Sequence, residues 1–335
     1  MQEHRNMEYI IGVDGGGTKT DYLIFTTEGE QVASLRTGSR SHEVLSGGFA
    51  ETEERLLDDL DTLLKKHNIQ RKSVAAAAFG MAGVDTPSQL TVMNQIIEKA
   101  GFQKFVVAND SVLGIKAGCP SGSGVCSING TGSVVTGIDE SGTVLQVGGI
   151  GLATGDYAGG FIIAALTVRA AYDYYFRCGA KTVLTDRVMS LFGLTDQKEL
   201  YDAISETFYT QRNLDKELIT LLFEAANSGD AIAAEIVQEI ARQQAKSVSG
   251  CISNLSFQKV PEIVLAGSVW TKSDCPLLID YFTDCIFLYT GMRVTPILLE
   301  VRPAAGAVIW ALELACNHPV TKAQREVIMN QLKTE

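Results

Sequence analysis

Residues 11–25 read IGVDGGGTKTDYLIF. An apolar strand runs into a carboxylate, three glycines and Thr18-Lys19-Thr20-Asp21, and a second apolar strand follows. A plain hairpin turn needs fewer glycines, and extra ones weaken the flanking strands entropically. Three in a row let backbone amides approach a ligand closely and form a nest for anions. Thr18 and Thr20 add hydroxyl donors and Lys19 a positive charge, a set that suits a polyphosphate. Asp14 at the strand end is then placed to hold Mg²⁺ through water, because that ion prefers carboxylate, water and phosphate oxygen. The loop is neither a Walker A loop nor a dinucleotide fingerprint: the chain contains no Gly-Lys dipeptide and no G-x-G-x-x-G.

Working outward, Tyr9–Val13 and Tyr22–Thr26 read as strands, and "QVASLRTG" as a third strand of a meander. Leucines at 56, 57, 60, 63 and 64 predict a helix over 49–68. "SVAAAAFGMAG" reads as a buried strand, Pro87–Ala100 as a helix capped by Thr86 or Ser88, and "KFVVAND" as a strand ending at Asn109-Asp110 before a helix over 111–117. From Cys119 the opening order returns. The strand "GVCSING" enters the loop Asn129-Gly130-Thr131-Gly132-Ser133, and the strands "VVTGID" and "TVLQVGG" follow. A long helical region spans about 159–248, "EIVLAGSVW" reads as a strand and Gly turn, "MRVTPIL" as a late strand, and Pro303 opens a further helix. Strand, glycine loop, strand therefore occurs twice. This predicts a duplicated α/β fold of two domains with a central cleft for nucleotide and substrate, and two glycine loops that clamp phosphates from both sides. The small, turn-rich segment 118–124 is the expected hinge.

The 335 residues are 46% hydrophobic and 20% charged, enough apolar material for two folded domains. A net charge of −11 without a basic block argues against nucleic acid or an anionic membrane surface as partner. The longest apolar runs carry Arg169 and Glu313, and the N-terminus shows no signal peptide, so a cytoplasmic protein is expected. Seven cysteines without a C-x-x-C pair read as reduced core residues, and four scattered histidines form no zinc-site spacing.

Asp14-Gly15-Gly16-Gly17-Thr18-Lys19-Thr20, Asn109-Asp110, Asn129 to Ser133, Gly155-Asp156 and Ala266-Gly267-Ser268-Val269-Trp270 occur in this order over residues 9–316. The set resembles the BadF/BadG/BcrA/BcrD ATPase family, and within it the N-acetylglucosamine kinase-like branch of the actin-like ATPase superfamily. The resemblance implies an actin-like (ribonuclease H-like) fold with domains over 1–118 and 119–302, the latter with a helical insertion, and C-terminal helices over 303–335 packing back on the first domain. It implies transfer of the γ-phosphoryl of ATP, with Mg²⁺, to a hydroxyl of an amino sugar, most simply N-acetylglucosamine, with N-acetylmuramate or glucosamine as neighbours. A homodimer is implied by the family.

The implied roles fall on matching positions. Asp110 is the base that takes the proton from the sugar hydroxyl, and a carboxylate at a strand's C-terminal end agrees with that role. Capping of the following helix is the alternative use. Gly15 to Thr20, Gly130 to Ser133 and Gly267-Ser268 bind ATP, and residues 225–230 add to the adenine pocket. Gly149, Asp156 and Gly160 belong to the sugar loop, with Ser41, His42, Asn109 and Thr131; Asp156 has helix capping as its alternative. Two positions depart from the family pattern. Ser41 stands where the kinases carry an Asn, and Tyr157 stands where they carry a Glu. Tyr157 suits a sugar face or an apolar substituent such as a lactyl group. Arg40 and His42 suit an acidic substituent, or else are solvated loop residues.

Two other classes share the fold. A dehydratase activator needs cluster-ligating cysteines, for which Cys119 and Cys126 lie in the nearest region. A nucleotide-dependent scaffold needs no base and leaves Asp110 without a purpose.

Overall fold

The computed structural model describes residues 8–210 and 214–333. Ten strands make two five-stranded sheets. The first holds β1 (Tyr9–Gly15), β2 (Lys19–Thr26), β3 (Gln31–Gly38), β4 (Val74–Met81) and β5 (Phe105–Ala108), in the order β3-β2-β1-β4-β5. The second holds β6 (Gly124–Asn129), β7 (Ser133–Ile138), β8 (Val144–Gly148), β9 (Ile263–Ala266) and β10 (Ile297–Leu298), in the order β10-β9-β6-β7-β8. Read from the other edge, the second order is third, second, first, fourth, fifth, as in the first sheet. The doubled motif of the sequence is thus a doubled topology. The late strand is shorter than expected, two residues of the "MRVTPIL" segment.

Helices α1 (Gly48–Lys66) and α2 (Pro87–Glu98) join strands of the first sheet, and α3 (Ser111–Gly118) follows β5 and leads to β6. After β8 come α4 (Gly160–Phe176), α5 (Val183–Leu191), α6 (Leu200–Ala203), α7 (Asp215–Asn227) and α8 (Ala231–Asn254). Then α9 (Ser268–Lys272) and α10 (Pro276–Thr290) flank the end of the second sheet, and α11 (Ala304–Cys316) and α12 (Lys322–Gln331) close the chain.

The chain divides into two compact units. One comprises residues 1–126, 137–144 and 299–335, the other residues 127–136 and 145–298, so β6 is shared at its middle.

In the first unit, β1 pairs antiparallel with β2 and parallel with β4, and β4 pairs parallel with β5. The inner strands read as unbroken apolar runs because both their faces are covered. Ile11, Val13, Ile24, Ala77 and Phe79 are all fully buried in one cluster with Leu56, Leu60 and Leu63 of α1. Edge strand β3 alternates instead. On the other face α11 crosses β1 at Gly12, where a Cβ would stand 2.6 Å from the Val308 nitrogen. Any side chain at Gly12 forces this helix off the sheet. Thr86 caps α2 in a reciprocal capping box with Gln89, and Pro87 opens the helix, as the sequence predicts.

In the second unit a helical cluster buries Ala164, Val168, Leu200, Phe208 and Leu218. Trp270 is buried, and its indole N–H donates to the Ser127 hydroxyl, which donates to Gln244 of α8.

Candidate active site

The glycine motif is a tight turn at the tip of a continuous hairpin. Gly15 pairs with Thr20 across β1 and β2, and the Gly16 amide donates to the Lys19 carbonyl at 2.9 Å. Gly17, Thr18 and Lys19 are exposed, whereas Thr20 is completely buried. The Thr20 hydroxyl has no hydrogen-bond partner among the described residues. A buried polar atom without a partner is costly, so this hydroxyl fits a ligand oxygen delivered to the turn.

Asp14 stands at the end of β1, directly opposite Asp21 of β2. Asp21 is itself held by a two-pronged contact from Arg36 at 2.6 and 2.7 Å. Burial, then the Asp21 charge, push the Asp14 carboxyl up to about 6, against the pull of Lys19 and of the Ala304 amide at the start of α11.

Asp110 lies where β5 gives way to α3. It occupies the cap position but makes no side-chain cap bond. Asn109 does the local bonding instead: its carbonyl oxygen accepts from the Ser111 amide at 2.9 Å and the Ser111 hydroxyl at 2.6 Å. The Asp110 carboxylate meets the Ser111 amide and its own amide, which pull its value down, but these do not offset the effects that raise it. Burial, then the charges of Asp14 and Asp85, raise it to about 7. A carboxylate tuned close to neutrality is suited to accept a proton at physiological pH. Asp85, which sequence reasoning missed, also accepts from the Asn109 side-chain amide at 2.9 Å. Its signal was its place in the glycine-rich exit loop of a parallel strand, where ligands gather in α/β sheets.

The loop after β3 differs from its sequence reading at Arg40. This residue is neither solvated nor free for a substrate: it is buried, and its guanidinium clasps Asp59 of α1 at 2.7 and 3.2 Å. Tyr22 donates to the same carboxylate, and burial pushes its phenol far above its ordinary range. Two positions in the chain thus pin a loop that looked polar and open. Ser41 is buried beside it, and His42 is half-buried with its ring stacked on Phe49 at 3.8 Å. Ser39, also missed, donates to the Gly16 carbonyl at 3.0 Å and accepts from the Ser41 amide, so it ties this loop to the glycine turn.

In the second unit the loop after β6 is built by close backbone contact. The Gly130 amide donates to the Gly132 carbonyl, and the Gly160 amide, at the start of α4, donates to the Gly130 carbonyl at 2.8 Å. A Cβ at Gly159 would stand 2.9 Å from both the Gly132 Cα and the Thr131 carbonyl. Asn129 is fully buried, and neither end of its side chain has a partner among the described residues. It lies at the strand end that corresponds to Asp14 in the first sheet. Gly267, at φ +96°, leaves no room for a side chain against the Asn129 backbone.

Beside these residues lies a cavity of about 570 Å³. Thr131, Gly160, Asn227, Ser268 and Lys272 line it. Its volume suits a nucleoside-sized ligand. Ser268 of the expected adenosine turn and Asn227 of the 225–230 segment both line this cavity.

Asp156 has a role the sequence did not show. It does not cap α4, whose first turn has no side-chain cap. Its two carboxylate oxygens accept from the Gly149 and Gly151 amides at 2.8 and 2.5 Å, closing the glycine loop on itself. Gly148 and Gly149 adopt positive φ to permit this. Tyr157 is half-buried beside it.

Among the described residues, no group of three or more His, Cys, Asp or Glu side chains is placed to hold a metal by itself. Mg²⁺ bound through one carboxylate, water and phosphate needs no such group. Asp14 fits that use, since a cation beside it offsets the burial and the Asp21 charge that raise it. Cys119 and Cys126 are completely buried, which withholds them from a cluster shared between subunits. No helix among the described residues is long and apolar enough to cross a membrane.

Two sheets of equal strand order, each with a glycine turn between its first and second strands, define the duplicated actin-like ATPase fold. Residues 11–311 match the BadF/BadG/BcrA/BcrD ATPase family, and the chain belongs to it. It is 27% identical over 308 residues to the N-acetylmuramic acid/N-acetylglucosamine kinase of Clostridium acetobutylicum, covering 91% of this chain and 98% of that one. It is 24% identical over 276 residues to the N-acetyl-D-glucosamine kinase of Dictyostelium discoideum, covering 79% and 86%. A crystal structure from Chromobacterium violaceum, provisionally named an N-acetylglucosamine kinase, superposes with a TM-score of 0.66 at 20% identity, over 92% of this chain and 99% of that one.

Proposed function

We propose that this protein is an ATP-dependent amino-sugar kinase that transfers the γ-phosphoryl group to a hydroxyl of N-acetylglucosamine or N-acetylmuramate. The observation that carries the reading is Asp110: a carboxylate at a strand end that makes no side-chain cap bond and is raised to about 7 by burial and by the charges of Asp14 and Asp85. Two kinases similar to it in sequence act, by name, on these sugars. Glucosamine is the third candidate acceptor.

Asp110 takes the proton of the acceptor hydroxyl as the phosphoryl group is transferred in line. Phosphoryl transfer needs positioning and charge stabilisation more than covalent help. Backbone amides of Gly15, Gly16 and Gly17, with Thr18, Lys19 and Thr20, receive phosphate oxygens, as do Gly130, Thr131, Gly132 and Ser133. The Thr20 hydroxyl and the Asn129 amide then gain the partners they lack. Gly267 and Ser268 shape the adenosine end of the cavity. Asp14 holds Mg²⁺, which neutralises phosphate charge when bound.

Ser41, His42, Asn109, Thr131, Gly149, Asp156 and Gly160 contact the sugar. Asp156 keeps lone pairs for sugar hydroxyls while it clasps its loop. Tyr157 offers an apolar face where a carboxylate is usual, which favours an acceptor with a lactyl group. The reading carries with it domains over 1–118 and 119–302 with closing helices over 303–335, a homodimer, and a cytoplasmic location. Packing of α11 on β1 and α3 supports the placement of the closing helices.

The test is ADP release with Mg-ATP against N-acetylglucosamine, N-acetylmuramate, glucosamine, glucose and no sugar. Release that depends on one amino sugar is expected. Equal release with and without every sugar rejects the kinase reading.

A further inference from the structure

His42, Gln89, Asp85 and Asn109 of the first unit form a polar path in which the step from Gln89 to Asp85 passes through the Asp85 backbone amide. His42 stacks on Phe49, and its Nε2 lies 3.4 Å from the Gln89 side-chain nitrogen. The Gln89 oxygen is occupied, accepting from the Asp85 and Thr86 amides at 3.0 and 2.8 Å. The NH₂ of Gln89 therefore faces His42 as a donor, and His42 Nε2 accepts. Asp85 Oδ1 accepts from the Asn109 side-chain NH₂ at 2.9 Å, and Asn109 Oδ1 accepts from Ser111. Both ends of the Asn109 amide are thereby committed.

The capping box of α2 uses only the Gln89 oxygen and the Thr86 hydroxyl. The contacts of Gln89 to His42 and of Asp85 to Asn109 are additional. They run from the loop after β3 to the residue next to Asp110. The loop is also seated tightly at Gly83, at φ +83°, where a Cβ would stand 2.9 Å from the His42 ring and 3.0 Å from the Ser41 hydroxyl. A shift of the His42 loop therefore meets both the exit loop of β4 and the Gln89 amide.

We infer that Asp85 and Gln89 are positioning residues, a relay that couples the His42 loop to the Asn109-Asp110 corner so that occupancy of the loop sets the aim of the base. Neither residue touches the reacting atoms. Asp85 fixes Asn109 and thereby the first turn of α3. Gln89 holds His42 in one orientation and Asp85 in one backbone position. The identity of the sugar substituent that the loop accepts is thus read out as turnover as well as affinity. This assignment of catalytic meaning rests on the kinase reading above; the mechanical coupling does not.

The experiment has two readouts for that reason. In the ligand-free protein, amide hydrogen exchange at Ser111 reports how firmly Asn109 is held. Asp85→Ala is expected to speed it at least tenfold, Asp85→Asn, which keeps an acceptor oxygen, by less than twofold, and His42→Ala at least threefold. Unchanged Ser111 exchange in His42→Ala overturns the coupling, and this variant decides the matter if Asp85→Ala does not fold. In the sugar-dependent assay, a cycle of His42→Ala and Asp85→Asn, singly and together, is read as kcat and sugar KM. A double variant whose kcat/KM departs at least threefold from the product of the single effects supports the relay, and simple multiplication overturns it. A wild-type protein with no sugar-dependent turnover rejects the kinase reading, and the exchange result then decides the relay alone.

Discussion

At the scale of single residues, Asp110 and Thr20 each show a site whose ligand-free state is strained in a measurable way. The raised folded-state value of Asp110, about 7 against an ordinary 3.8, means the folded chain binds more protons than the unfolded one between those values. Ionising Asp110 therefore costs stability as pH rises through that window, and the cost is complete above it. Asp110→Asn removes the charge. Urea unfolding is expected to find the variant more stable than wild type at pH 8, by at least about 1 kcal/mol, with the difference shrinking toward pH 4. The same variant is expected to lose sugar-dependent turnover by several orders of magnitude, and retention of most turnover would remove Asp110 as the base. Thr20→Val replaces an unpartnered buried hydroxyl by a methyl group. It should stabilise the ligand-free protein by about 1 kcal/mol and weaken nucleotide binding. Lower ligand-free stability together with unaltered nucleotide affinity would contradict that account. Asp14→Ala should raise the Mg²⁺ concentration needed for half-maximal turnover several-fold, and an unmoved Mg²⁺ curve would take Asp14 out of that role.

At the scale of elements, turns between strands carry the site, and backbone proximity shapes them. The step from β9 to α9 passes through Gly267, whose φ of +96° and closeness to Asn129 admit no side chain. Gly267→Ala is expected to lower stability by about 1–3 kcal/mol and to abolish nucleotide binding, checked by thermal unfolding with and without a non-hydrolysable ATP analogue. A variant that keeps full affinity would show that this turn does not shape the nucleotide cavity. The elements themselves were largely legible in the sequence. Leucines at helical spacing announced α1, Thr86-Pro87 announced the start of α2, and the run of alanines before Phe79 announced a strand buried on both faces. These are local signals, set by capping, periodicity and side-chain burial along one segment. The shortness of β10 was not legible, because only tertiary pairing decides that Ile297 and Leu298 alone meet β9, at Val264 and Leu265.

At the scale of the whole molecule, the repeated strand order explains why one chain carries two glycine turns. A ligand that binds only the folded protein stabilises it by about 2.7 kcal/mol at a hundred times its dissociation constant. Mg²⁺ with a non-hydrolysable ATP analogue should therefore raise the melting temperature by several degrees, while Mg²⁺ alone should do little. Equal shifts from the ion and from the complex would argue that no nucleotide site is present. The proposed homodimer predicts sedimentation at twice the chain mass at micromolar concentration, and a monomer throughout would end that part of the proposal.

Sequence alone determined the doubled strand–glycine–strand pattern, the acids at the strand ends and the order of the motifs, because each is written within a few consecutive residues. Only tertiary structure decided which polar groups are already committed. Arg40 looked free and is locked on Asp59, nineteen positions away. Asp156, read as a sugar ligand with helix capping as its alternative, is a clasp for the Gly149 and Gly151 amides. Asp85 and Ser39 looked like loop residues and bond to Asn109 and Gly16. Hydrogen-bond partners of buried side chains come from segments that only folding brings together. A carboxylate's availability for chemistry is therefore a property of the folded neighbourhood, not of the residue type.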